Sequence, residues 1–161
     1  MDDQQVHDMM TCNFYSVVLL THQVIKSFAK RWNERKQRSL LCNTSGLHAV
    51  CPSPNGAVSS ATKIAGDFIG WGIREELKKY KTDVCMWRAG PVSTKLSGNP
   101  KPDLMTPTPE QYVEAALGKC TSGAHAGYFT HEIIHLFLSN IKEIFGIGPG
   151  MKIFHGIFST L

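Results

Sequence analysis

The 161-residue sequence contains no run of about eighteen apolar residues, the length at which a helix can cross a bilayer. No transmembrane helix is expected. The five cysteines, Cys12, Cys42, Cys51, Cys85 and Cys120, are odd in number and show no CxxC spacing. That argues against a secreted disulfide framework. Most lie in apolar runs, which predicts buried, reduced thiols in an intracellular reducing compartment. The first residues, Met1 to Asp8, are polar and acidic, so no secretory signal is expected. No G-x-G-x-x-G turn occurs. The glycines at Gly146, Gly148 and Gly150 have the wrong spacing and follow a predicted helix rather than a strand. The chain therefore offers no loop for a dinucleotide pyrophosphate. Acidic residues are the scarcer charge, 13 against 17 basic, for a net charge of +4. Much of the excess lies between Lys26 and Arg38, where a solvated helix end accounts for it. A phosphate-bearing partner is the alternative for that run, and nucleic acid is not expected. There is no internal repeat and no low-complexity segment.

Hydrophobic residues make up 42% and charged residues 19%, an ordinary balance for a compact domain with its own core. Val17, Leu20, Val24, Ile25 and Phe28 recur at helical period and predict a helix from Asp8 to about Lys36. Ser39 to Thr44 predicts a buried strand around Leu40-Leu41-Cys42. A loop rich in Gly and Pro leads to a helix from Val58 to Lys81, with Ala61, Ala65, Phe68, Ile69, Ile73 and Leu77 expected inward. Asp83 to Trp87 predicts a second buried strand. The proline-rich stretch Arg88 to Pro109 predicts a long loop of the kind that covers substrates. Thr108 is suited to cap, and Pro109 to open, a helix running to about Lys119. A third strand is expected over Ala126 to Phe129 and a helix over His131 to Phe145, broken by Gly146 to Gly150. Alternating helices and strands make the fold α/β with a parallel sheet. Residues 1–130 are expected to form the α/β unit, and 131–161 a C-terminal helix with an apolar tail. That tail could lie on a membrane surface, against a partner, or buried within its own assembly.

His131-Glu132-Ile133-Ile134-His135 spells HExxH. On a helix its two histidines share one face and could hold zinc, with the glutamate as base. A third ligand is needed. Leu138 and Ile141 stand where one common extension of the motif has Gly and His, leaving only Glu143 or His155. No metal is expected, and a zinc hydrolase is the minor reading.

Five blocks occur in order. They are Asn13 to Val24, Leu41-Cys42-Asn43-Thr44-Ser45, Ser60-Ala61-Thr62-Lys63, Arg88 to Leu96, and Thr108 through Gly127-Tyr128. Together they resemble the short-chain dehydrogenase/reductase family, closest to the branch of very-long-chain 3-oxoacyl-CoA reductases and hydroxysteroid dehydrogenases. The resemblance implies the C-terminal half of a Rossmann-like, doubly wound parallel sheet of about three strands, without its first nucleotide-binding βαβ half. It implies that Asn13, Ser45, Ser59 and Lys63 occupy catalytic positions, and Lys63, Ala89, Gly90, Val92 and Thr94 cofactor-contacting ones. It also gives HExxH an inherited, metal-free explanation.

In this family a tyrosine donates the proton to the developing alkoxide, and a lysine one helical turn on lowers its pKa. Here Ser59 stands at the tyrosine's position and Ala89-Gly90 at a Pro-Gly pair. Gly66, Gly70 and Gly72 interrupt a helix. The spacing of Gly66 and Gly70 suits a flat face for helix contact, and drift after loss of catalysis accounts for them equally. The expected function is a degenerate, noncatalytic structural or interaction subunit with no cofactor. The alternative is an NADP(H)-dependent reductase of a 3-oxoacyl-CoA or steroid ketone, its cofactor half supplied elsewhere. The absent strands imply a protein partner or second copy covering the sheet edge and the long helices. Membrane association, at the endoplasmic reticulum or another organelle, is the accompanying expectation.

Overall fold

A computed structural model describes residues 1–120 and 122–158. Helix α1, Asp3–Met10, runs through a π-helical turn, Thr11–Tyr15, into α2, Ser16–Arg35. It begins before the expected Asp8 because polar residues build the start. The Asp2 carboxylate accepts the Gln5 N–H at 2.8 Å, and the Gln5 side chain accepts the Asp2 N–H at 3.0 Å. This reciprocal cap satisfies two otherwise orphaned donors and leaves no trace in apolar periodicity.

Strand β1 (Ser39–Thr44), helix α3 (Ala57–Leu77), strand β2 (Thr82–Trp87), helix α4 (Pro109–Gly118), strand β3 (Gly123–His125) and helices α5 (Phe129–Phe145) and α6 (Ile147–Phe158) follow. The three strands form one parallel sheet in the order β1-β2-β3, with Cys42 beside Cys85 and Cys85 beside Gly123. Thr108 and Gln111 close the expected cap on α4.

One face of the sheet carries the first core. Leu77, Val84 and Met86 are buried there, with Ile25, Phe28, Leu41 and Ile73 packed around them. Each of the three buried side chains contributes about 1.5–3 kcal/mol. The opposite face of β1 is sparsely covered, with the Cys42 Sγ 3.9 Å from the Cys120 Sγ, so the strand is only half covered rather than buried. Leu40 and Cys42 are exposed. Cys12 is exposed too, against the expectation of buried thiols, while Cys51 and Cys85 are buried; all five are free. A second core joins Leu47, Val50 and Cys51 to Ile134 and Leu138 of α5 and Phe154 of α6.

The third strand lies three residues earlier than expected. The Ala126 N–H is taken by the Glu132 carboxylate at 2.9 Å, and its carbonyl accepts the Tyr112 hydroxyl at 3.1 Å. Side chains therefore end the ladder where periodicity would continue it. Of the expected break at Gly146–Gly150, only Gly146, at φ 82°, interrupts the helices. Pro149 falls in the first turn of α6, where its missing N–H costs nothing.

The inward face of α3 also differs. Ala61 and Phe68 are exposed, whereas Ser60, Thr62, Gly66, Asp67 and Gly70 are buried. The glycines bring the helix down onto the strands. A Cβ on Gly70 would meet the Met86 Sδ at 2.5 Å, and one on Gly66 would meet the Asn43 Nδ2 at 3.1 Å. The Gly66 carbonyl accepts that same Asn43 amide at 3.2 Å. The pair thus serves helix-on-sheet contact rather than a helix–helix face.

Candidate active site

Ligands of open parallel sheets sit beyond the carboxyl ends of the strands. Here β1 and β2 end side by side, and their pairing continues past both strands. The Ser45 N–H bonds the Trp87 carbonyl at 2.8 Å, and the Leu47 N–H bonds the Ala89 carbonyl at 3.0 Å. The first turns of α3 stand over these loops. Between them lies a cavity of about 600 Å³. Ser45, Ser59 and Lys63 line it from one side, and Ala89, Gly90, Val92 and Thr94 from the other. The structure therefore gathers into one crevice seven of the eight residues singled out from sequence for catalysis or cofactor contact.

Asn13 is the eighth and lies behind the wall. Its amide donates to the Thr62 hydroxyl at 3.5 Å, and that hydroxyl donates to the Ser59 carbonyl at 2.7 Å. Asn13 thus braces the turn carrying Ser59. It sits in the π-helical turn, a distortion that often marks functional positions. The Ser45 hydroxyl donates to the Lys63 carbonyl at 3.3 Å, and the Lys63 ammonium reaches the Thr44 carbonyl at 3.5 Å. These two bonds strap the end of β1 to α3. Burial holds the Lys63 pKa below the ordinary lysine value, with Cys12 and Asp67 partly opposing the shift.

Among the lining residues not singled out from sequence are His48 and Phe154, their rings edge to face at 5.0 Å. Burial, and then the neighbouring Lys63 charge, push the His48 pKa down. His48 follows Ser45 by three residues, so its place was available from the strand end. Phe154 comes from α6, and nothing in its local sequence marks it.

The HExxH residues are taken up by the fold. His131, fully buried, accepts the Gly90 N–H on Nδ1 at 3.2 Å and donates from Nε2 to the Met105 carbonyl at 3.0 Å. His135 Nε2 accepts Arg88 Nη1 at 2.9 Å, which leaves the proton on Nδ1, 3.4 Å from the Glu132 carboxylate. Arg88 Nε in turn pairs with the buried Asp67 carboxylate at 2.7 Å. The motif therefore serves as a brace running from α3 across the end of β2 to α5. No group of three or more His, Cys, Asp or Glu among the described residues is placed to hold a metal ion.

The family model for short chain dehydrogenases matches residues 1–104. The chain belongs to the short chain dehydrogenase family. Human 17-beta-hydroxysteroid dehydrogenase type 3 is 27% identical over 158 residues, covering 98% of this chain and 47% of that protein. Very-long-chain 3-oxoacyl-CoA reductase of Anas platyrhynchos is 30% identical over 156 residues, covering 88% of this chain and 48% of that protein. The chain thus spans about half the length of the curated relatives it matches. Among solved structures, a short chain dehydrogenase from Burkholderia cenocepacia in complex with NADP has a TM-score of 0.68 at 20% identity, over 89% of this chain and 58% of that one. A short-chain dehydrogenase from Streptomyces avermitilis has a TM-score of 0.70 at 14% identity, over 97% of this chain and 64% of that one. At such identities the likeness is one of fold.

Gly90 lies flat because a Cβ there would meet the His131 ring at 2.7 Å, and Lys63 and Thr94 stand beside it in the lining. For the pyrophosphate the sequence supplies no glycine-rich turn after a strand. The residues present therefore do not fit a whole dinucleotide. No helix among the described residues is long and apolar enough to cross a membrane.

Proposed function

We propose that this chain is a noncatalytic member of an oxidoreductase family. It keeps the carbonyl-facing crevice but not the proton donor, and works as a subunit of a larger assembly. The observation carrying this reading is Ser59, which lines the crevice at the tyrosine's position. A serine hydroxyl is a far weaker acid than a phenol of pKa about 10, and its side chain is several ångströms shorter. Among the lining residues there is no carboxylate and no phenol, and burial with the neighbouring Lys63 charge holds the one imidazole, His48, toward its neutral form. The partner is a protein chain or second copy that pairs with the free edge of β1 and covers Leu40 and Cys42. The exposed apolar side chains of α5, among them Ile133, Leu136 and Phe137, are proposed to face that assembly or a membrane surface.

A second reading is favoured by the assembled crevice itself. With Ser45 and Lys63 in place, a cofactor half from another chain would make an NADP(H)-dependent reductase of a 3-oxoacyl-CoA or steroid ketone. NADPH titration of the purified chain and of any co-purifying assembly, with Ser59→Tyr alongside, separates the two. The noncatalytic reading expects no NADPH binding and no carbonyl reduction in either form. NADPH binding by the assembly, with reduction appearing in Ser59→Tyr, would establish the second reading instead.

A further inference from the structure

We propose that the crevice binds an organic monoanion with an apolar tail, a medium-chain carboxylate. The head sits at Lys63 and His48, and the tail runs past Phe154 to Leu96. This goes beyond the proposed function and does not depend on a cofactor or on catalysis.

The charge pattern points to the head. Of the residues lining the cavity, only Lys63 and His48 are ionisable, and neither carries a negative charge. Among the described residues, no carboxylate lies within ion-pair distance of Lys63. Asp67, one turn along α3, is fully buried, does not line the cavity, and is engaged by Arg88 at 2.7 Å. Among the described residues the Lys63 ammonium makes one hydrogen bond, to the Thr44 carbonyl, and it is long at 3.5 Å. An ammonium has three donors, so two N–H groups are unassigned in a half-buried space. A half-buried cation without a counter-ion is costly, and a bound anion relieves that cost.

The apolar lining points to the tail. Phe154 stacks edge-on against His48 at 5.0 Å, so an apolar wall begins beside the cationic end. Leu47, Pro91 and Val92 continue it. Leu96, at the rim, is 99% exposed, and a tail leaving the crevice would cover it. A cavity near 600 Å³ lies within the usual range for small-molecule sites. The Ser59 hydroxyl, in the same lining, is available to the second carboxylate oxygen.

Calorimetry on the purified full chain, with decanoate, decanol and decylammonium below their micelle concentrations, tests this. Decanoate is expected to bind about tenfold or more tightly than the alcohol or the amine, as a charge-assisted hydrogen bond provides. Lys63→Met should bring decanoate to the level of the alcohol, and Lys63→Arg should retain the preference, with circular dichroism confirming that each variant is folded. Equal binding of decanoate and decanol overturns the proposal. So does unchanged decanoate binding in folded Lys63→Met, or absent binding by the folded wild-type chain. NADPH titrated into the same samples reports separately on the proposed function, because NADPH binding would refute the noncatalytic reading whether or not decanoate binds.

Discussion

Replacing Gly90 by alanine tests whether His131 is a fixed brace of the crevice. The new Cβ would lie 2.7 Å from His131 Cδ2 and 2.9 Å from Cγ and Nε2. The ring has nowhere convenient to go. It is fully buried and held on both nitrogens, by the Gly90 N–H at 3.2 Å and the Met105 carbonyl at 3.0 Å. Tyr112 and Tyr128 also flank it, at centroid distances of 5.8 and 5.3 Å. Overpacking a core costs about 1–3 kcal/mol, and displacing the ring loses at least one hydrogen bond of about 1 kcal/mol. Gly90 is outside any helix, so alanine brings no helical gain to offset this. Gly90→Ala should therefore lower the unfolding free energy by about 2–4 kcal/mol. Urea denaturation measures it, and a double-mutant cycle with His131→Ala assigns it. In the His131→Ala background most of the penalty should vanish, because the opposing ring is gone. A Gly90→Ala chain within about 0.5 kcal/mol of the parent, or an equal penalty in both backgrounds, would refute the reasoning.

The Asp67–Arg88 pair gives a second expectation. Asp67 is fully buried and Arg88 nearly so, so Asp67→Asn leaves a guanidinium without its carboxylate and should cost about 3–5 kcal/mol. A urea-measured loss below about 1 kcal/mol would mean that Arg88 finds solvent or another partner. The buried histidines set a pH dependence. Burial lowers the pKa of His48, His131 and His135 from the ordinary 6.5, so the folded chain binds fewer protons than the unfolded one. Stability should be full above 6.5 and fall as pH drops below it, continuing through the lowered folded values. Replacing His131 by Phe should flatten that decline in denaturation series between about pH 5 and 7, and an unchanged slope would show that His131 does not contribute. Ser59→Tyr should leave carbonyl reduction absent in the purified chain, and steady-state NADPH oxidation checks it.

Much of the fold was legible because its elements are locally consistent. β1 and β2 lie at the expected residues, and Thr108 with Pro109 announces α4. The site was legible for a different reason. Residues placed by resemblance converge on one crevice because the strand ends and the start of α3 are fixed by the sheet. What failed was governed by contacts that periodicity does not encode. Hydrophobicity pointed Ala61 and Phe68 inward, but α3 rests on the absence of side chains at Gly66 and Gly70. The end of β3 is decided by the side chains of Tyr112 and Glu132, which belong to the flanking helices and not to the strand. HExxH suggested ligands, yet its side chains answer to Gly90, Met105, Arg88 and Ala126. Phe154 reaches the crevice only through the packing of α6 on α5.

The bare contact at Gly66 and Gly70 has a reach beyond stability. Ser59 and Lys63 ride on the same rigid helix, so how deeply α3 sinks onto the strands fixes how high they stand above the loops after β1 and β2. Those two glycines act as a spacer of zero thickness. A methyl group added at Gly70 would meet the buried Met86 side chain at 2.5 Å, and any lift of the rod that relieves this contact alters the aperture of the crevice from a distance. The size of molecule that the site admits is thus written partly in positions that never touch it.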